Sequence, residues 1–219
     1  MRRLLAYAVM ALMLSGCALP HKMPASKQIR SVVLVPAMPE ALTFNYIGWI
    51  GTNKTANPVD WGQNEVVRAT LLPVLQSRYD VRPAPADASP LINALTDTDI
   101  MVGSEAGVEA ALPKVMQPGQ ADAIIVVSGS PGAHLHFDAV RSRIPYLSVR
   151  YRISVFDGTT FKPIAYETGL GGEMLYTGSR SWQGEDFGFF SPSDRELMRR
   201  IVTTHIGNTM PRTLGKLGL

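Results

Sequence analysis

The chain has 219 residues, a formal net charge of +3, 46% apolar residues and one cysteine. A single cysteine excludes an internal disulfide framework and a multi-thiolate metal site. With Arg2 and Arg3 set aside as part of a leader, 19 basic side chains face 18 acidic ones, a balance without the concentrated basic face that nucleic acid requires.

Met1-Arg2-Arg3 precede an apolar run from Leu4 to Leu14. As a helix rising about 1.5 Å per residue this run spans about 16 Å, too short for a hydrocarbon core of roughly 30 Å. Residues 1–16 therefore read as a cleavable signal peptide. Leu14-Ser15-Gly16-Cys17 has the form of a lipobox: small residues fit an extended backbone into a peptidase cleft, and the Cys17 thiol receives the lipid. Acylated Cys17 would then begin the mature chain, held at a bilayer by palmitate-type chains that each add roughly 0.8 kcal/mol per buried methylene. Residue 18 is Ala where Asp commonly retains such proteins in the inner membrane, so the expected location is the outer membrane, facing the periplasm. Residues 17–30 are polar, proline-containing and aperiodic, and read as a flexible tether. Residues 31–219 are expected to form a single α/β domain.

Within that domain, Ser31–Pro36 is a short apolar run and reads as a buried central strand. Thr43 to Ile50 suits a strand or part of a hairpin. Asp60 and Gln63 have capping-box spacing before a helix whose Val67, Leu71, Val74 and Leu75 share a face, and Pro73 is expected to kink or divide it. Residues 79–82 suit a short strand, and Pro90 to Leu95 a turn. A second helix is expected from Ser104 to Met116, and a second buried strand over Asp122–Val127. A helix between two such strands suggests a crossover unit. From Val149 to Val155 apolar and polar residues alternate, which predicts an antiparallel strand with one wet face. Asp157-Gly158 marks a hairpin with a loop longer than two residues, and Phe161 to Met174 the return strand. Ser191-Pro192 offers a helix start with Pro at N1, Ser193 and Glu196 a second capping box. Met198, Val202 and Ile206 supply that helix's apolar stripe, which is expected to end near Pro211.

Four groups of residues invite chemistry. On a strand, His134 and His136 would share a face, and with Asp138 could hold zinc or iron; a solvated strand beyond a Gly129–Gly132 turn is the competing reading. Ser128 to Gly132 resembles a nucleophile elbow projecting Ser130, with Ser128 where the motif has glycine, and a triad would need His205 and Asp186 or Asp194. Gly169-Leu170-Gly171-Gly172 lacks the spacing of a dinucleotide fingerprint, and no phosphate-cradling Gly-Lys-Ser/Thr occurs. No cofactor is implied. Residues 176–190 mix aromatics and glycines. There Arg180, Trp182 and Phe187 are of the types that anchor protein partners, as is Trp49 earlier in the chain, with packing against the domain as the alternative.

Three segments carry a family likeness: Ser31–Pro36 after a lipidated tether, Ala121–Val127 after a helix, and a hairpin from Val149 to Gly169 around Asp157-Gly158. Their order resembles small envelope lipoproteins related to the LpoB activators of penicillin-binding proteins, the periplasmic domain of the curli secretion channel, the N-terminal domain of TolB, and the neisserial-type surface lipoproteins. The turn departs from the usual Asp-x-x-Ser/Thr-Gly pattern, reading Asp157-Gly158-Thr159-Thr160. The resemblance implies a mixed α/β fold without catalysis, an envelope-protein partner or a homo-oligomer, and no transferable catalytic residue. A function as a non-catalytic scaffold of an envelope machine is thus expected; an envelope hydrolase using Ser130, or a metal at His134 and His136, is the alternative.

Overall fold

A computed structural model describes residues 23, 28–48, 51–96, 105–136, 145–174 and 190–219. The elements in chain order are β1 (Ser31–Ala37), β2 (Ala41–Gly48), β3 (Gly51–Pro58), α1 (Gln63–Gln76), β4 (Asp80–Arg82), α2 (Ser89–Thr96), α3 (Glu105–Val115), β5 (Ala123–His136), β6 (Pro145–Asp157), β7 (Pro163–Met174) and α4 (Pro192–Lys216). This is the mixed α/β fold that the sequence predicts, with a mixed sheet, flanking helices, an antiparallel hairpin and a closing helix.

β5 is the axis of the sheet. Its first half pairs in parallel with β1, Val32 to Ala37 against Ala123 to Ser128. Its second half pairs in parallel with β2, Thr43 to Ile47 against Gly132 to His136. Its other edge pairs along its length with antiparallel β6, which in turn pairs with β7. β1 and β2 thus act as one long strand interrupted at residues 38–40. At the end where the parallel strands start, the order is β4-β1-β5-β6-β7; at the far end it is β3-β2-β5-β6-β7.

The interruption is repaired by one side chain. Backbone groups at Met38 leave the ladder, and buried polar backbone requires partners. Asn64 of α1 supplies them: its Oδ1 accepts from Met38 N–H at 3.0 Å and its Nδ2 donates to Met38 C=O at 2.8 Å.

Two apolar layers sandwich the sheet. Val32 and Leu34, Ala123, Ile125 and Val127, and the β6 series Val149, Tyr151, Ile153 and Val155 meet α1 and α4 on one face. Val33 and Val35, Ile124 and Val126, and Phe156 meet α2 and α3 on the other. Period-two alternation assigns neighbouring residues to opposite layers, so both faces of β1 and β5 are apolar. The crossover from β1 to β4 carries α1, and that from β4 back past β1 to β5 carries α2 and α3. The two crossovers advance in opposite directions, so a constant hand puts their helices on opposite faces.

Several local expectations fail for physical reasons. α1 is not capped by Asp60: Gly62 is the N-cap at φ 62°, with no side-chain cap, and the helix start is instead tied to the β1–β2 connection through Asn64, Glu40 and Met38. Pro73 does not divide α1, nor does Pro211 end α4, which runs to Lys216. Burial of Leu75 in one case and of Thr213 and Leu214 in the other outweighs a cost of about 3 kcal/mol for an interior proline. Residues 90–95 form the helix α2 and not a turn, since Pro90 lies in its first turn, where no N–H is needed. The cap of α4 is Ser191, whose hydroxyl accepts from Asp194 N–H at 3.2 Å; Glu196 instead pairs with Arg199 at 2.6 Å. The outer face of β6 is not wet: Ser154 and Phe156 are buried, and Glu105 of α3 reaches Arg152. Among the described residues no helix is long and apolar enough to cross a membrane.

Candidate functional site

The two ends of the sheet differ in what they carry. β1, β4 and β5 start together, with Ser31 opposite Asp80 and Val32 opposite Ala123, and β6 finishes there at Asp157. At this end residues 28–30 lead into β1. Asp122 Oδ2 accepts from the N–H groups of Arg30 and Ser31, both at 2.9 Å, and from Ser31 Oγ at 3.1 Å. Those bonds hold the Asp122 carboxyl below its ordinary range.

At the opposite end the β2–β3 hairpin closes between Gly48 and Gly51, β5 finishes at His136, β6 begins at Pro145 and β7 finishes at Met174. Trp49 lies within the hairpin turn in sequence, and Arg180, Trp182 and Phe187 lie between Met174 and Phe190. All four fall outside the described residues, as do Cys17, Asp138 and Asp186. The described strands that these segments follow or join, β2, β3 and β7, have those ends at the side of the sheet remote from the start of β1.

The hydrolase geometry does not form. Ser128 to Gly132 is the middle of a continuous strand and not an elbow, Ser130 being registered with Arg150 of β6. Gly129 has φ 141°, and a Cβ there would stand 2.2 Å from the Arg150 carbonyl oxygen. The glycine therefore serves close strand approach instead of a turn. His205 lies on α4 against Gly171 of β7, where a Cβ would stand 2.8 Å from its Nδ1. β7 is two strands from β5, a separation of about 10 Å. Asp194 is engaged with the Ser191 hydroxyl at 2.7 Å and is eleven residues from His205 along one helix, about 16 Å. Ser130, His205 and Asp194 are not brought together.

His134 and His136 also belong to β5, paired there with β2 and, at His134, with Tyr146 of β6. They stand inside the sheet and not beyond a turn. Among the described residues no group of three His, Cys, Asp or Glu could hold a metal ion.

No family model matches the chain, and no curated protein matches it in sequence. Solved structures do. A protein from Xanthomonas campestris matches at TM-score 0.41 and 8% identity, over 93% of this chain and 86% of that one. A lipoprotein from Neisseria meningitidis matches at TM-score 0.34 and 16% identity, over 80% and 96%. The C-terminal domain of LpoB from Salmonella enterica matches at TM-score 0.26 and 11% identity, over 74% and 90%. The neighbours thus include lipoprotein types whose element order the sequence resembles. All three TM-scores lie below 0.5, so the functional reading rests on this chain's own residues.

One polar feature escapes sequence reading. Arg152 pairs with Glu105 and lies over the Tyr166 ring at 4.4 Å from its centroid. Ser128 and Ser154, both buried, occupy neighbouring positions in the register. Alternation places these residues on one face of β5 and β6, beyond the apolar patch under α2 and α3. Arg150 and Arg152 read from sequence as solvated; only the position of α3 shows Arg152 to be enclosed.

Proposed function

We propose that this chain is a membrane-tethered, non-catalytic accessory protein of the bacterial envelope. The observation that carries the reading is Leu14-Ser15-Gly16-Cys17 at the end of a short apolar run, which makes Cys17 the acylated residue. Ala18 supports an outer-membrane location on the periplasmic side. The topology supports a scaffold role: the tether enters at one end of a rigid sheet, and the segments holding Trp49, Arg180, Trp182 and Phe187 leave from the other. Aromatic and arginine side chains dominate protein-binding energetics, so these four are the proposed contacts to an envelope protein or a second copy of this chain.

The reading is tested in cells. Cys17→Ser should abolish incorporation of a palmitate analogue and leave the leader of residues 1–16 uncleaved; labelling that persists would refute the acylation site. Crosslinking in intact cells followed by mass spectrometry should recover one stoichiometric protein partner. Recovery of lipids and abundant porins alone would overturn the scaffold role.

A further inference from the structure

Part of the segment expected to be a free tether is held against the domain. The Met23 N–H donates to the Leu217 carbonyl at 3.1 Å, just beyond the end of α4. The side chains of Met23 and Ile29 are half-buried against the core layer under α1 and α4. Methionine suits such a gap because its flexible thioether adapts to an irregular surface. Pro24 follows, which biases Met23 toward extended backbone, the conformation a single strand-like bond requires.

The end of α4 is also the end of the sheet where the parallel strands start. Lys216 pairs at 3.3 Å with Glu167, near the beginning of β7. Arg30 and Ser31 are fixed there by Asp122.

We infer that Met23 is a clasp: only residues 18–22 separate the anchor from the domain, and the strand-start end of the domain faces the bilayer at short range. This rests on the reading of Cys17 as the acylated residue. Six residue steps from Cys17 to Met23 reach at most about 20 Å, whereas fourteen steps to Ser31 would reach about 48 Å. The clasp therefore more than halves the reach. Among the described residues Leu170 of β7 is the one large exposed apolar side chain, and the strand-start end carries polar groups such as Arg30, Asp122 and Lys216. The bilayer partner is a headgroup surface, approached through residues 18–22, with the β2–β3 hairpin pointing away.

The test uses the mature acylated chain in phosphatidylethanolamine/phosphatidylglycerol vesicles carrying a headgroup energy acceptor. Arg212→Cys carries a donor near the end of α4, and Ala56→Cys carries one on β3. Ala56 is level with Gly132, nine residues along β5 from Ala123 and about 30 Å from the strand starts. Transfer should be roughly twofold or more higher from position 212, given that offset. A six-residue Gly/Ser insertion between Leu19 and Pro20 should lower it, and the same insertion between Pro24 and Ala25 should leave it unchanged. Equal transfer from the two positions, or equal loss with the two insertions, would overturn the clasp. Amide exchange in Cys17→Ser examines the clasp without lipid: a protected Met23 N–H supports it, and exchange at the unprotected rate refutes it. Failed palmitate labelling with a protected Met23 would remove the anchor and leave the clasp standing.

Discussion

The Tyr151 ring lies directly across Gly169, its registered partner on β7, so that a Cβ on Gly169 would stand 2.1 Å from the ring Cζ. β7 is an edge strand of the sheet, and an aromatic laid over an edge glycine covers backbone that would otherwise lack side-chain contact. The ring cannot swing away, because the Tyr151 hydroxyl is hydrogen-bonded to Thr213 Oγ1 at 2.8 Å in the buried interface with α4. Gly169→Ala should therefore destabilise the domain by about 1–3 kcal/mol through overpacking. Tyr151→Phe should cost about 1 kcal/mol. In a cycle of Gly169→Ala, Tyr151→Ala and the double variant, the two single losses should fall short of additivity. Urea midpoints of the three variants read the coupling; strict additivity would mean that the two residues do not share the space.

Arg152 and Glu105 have side chains 16% and 17% exposed, well below the other described ion pairs taken as pairs, so this bridge resists solvent screening. Glu105→Ala should lower stability by about 1–3 kcal/mol, less than the 3–5 of a fully buried pair. Replacing both, as Arg152→Met/Glu105→Leu, should recover most of that loss, because no charge then remains enclosed. Thermal melts at low and high salt distinguish the cases: the loss in Glu105→Ala should persist at high salt.

The legibility of this fold followed the length scale of the signal. Both central strands were visible as apolar runs because strands buried on two faces need no alternation, and the α4 stripe was visible at Met198, Val202 and Ile206. Tertiary decisions were hidden. Gly129 looked like part of a turn, because sequence cannot tell that its positive φ and its close approach to β6 belong to the interior of a strand. The alternation from Val149 to Val155 identified the face beneath α4, yet said nothing of α3 covering the other. Asn64 carried no local signal, since its partners at Met38 are 26 residues away. Of the candidate site, the tether residue and the aromatics were legible as types; that their segments leave opposite ends of the sheet became visible only with the topology.

That same asparagine makes a stability prediction. Asn64→Leu keeps the volume but leaves Met38 N–H and C=O without their partners. Each unsatisfied, largely buried group costs about 1–3 kcal/mol, so the loss should exceed that of any single exposed substitution on α1. A midpoint within experimental scatter of the parent chain would show that water replaces the amide.

Two carboxyls should shape the pH dependence in opposite directions. Burial, the largest cause, raises Glu40 above its ordinary 4.5, against the backbone N–H groups of Asn64, Gln63 and Trp61 that favour the carboxylate. Its contribution to stability is complete below pH 4.5 and lost as pH rises through the raised folded value. Asp122 is held below 3.8 by the Arg30 and Ser31 N–H groups, so its contribution is present above pH 3.8 and lost as pH falls through the lowered folded value. Glu40→Gln should flatten the decline in urea midpoint between pH 4.5 and neutrality. Asp122→Asn should flatten the acid limb alone. A change in the same window for both variants would contradict the assignments.

Trp49 and Trp182 separate a partner-binding role from a packing role. If they contact an envelope protein, Trp49→Ala and Trp182→Ala should reduce in-cell crosslinking strongly, since central aromatic anchors contribute about 2–4 kcal/mol each to binding, while the urea midpoint stays within about 0.5 kcal/mol of the parent. If they fill the core, the order reverses: removing a buried tryptophan lowers stability by about 3–5 kcal/mol, and any crosslinking lost is lost with the fold. Measuring the crosslinking yield and the urea midpoint on the same variants decides between the two roles, because only a contact residue separates the two readouts.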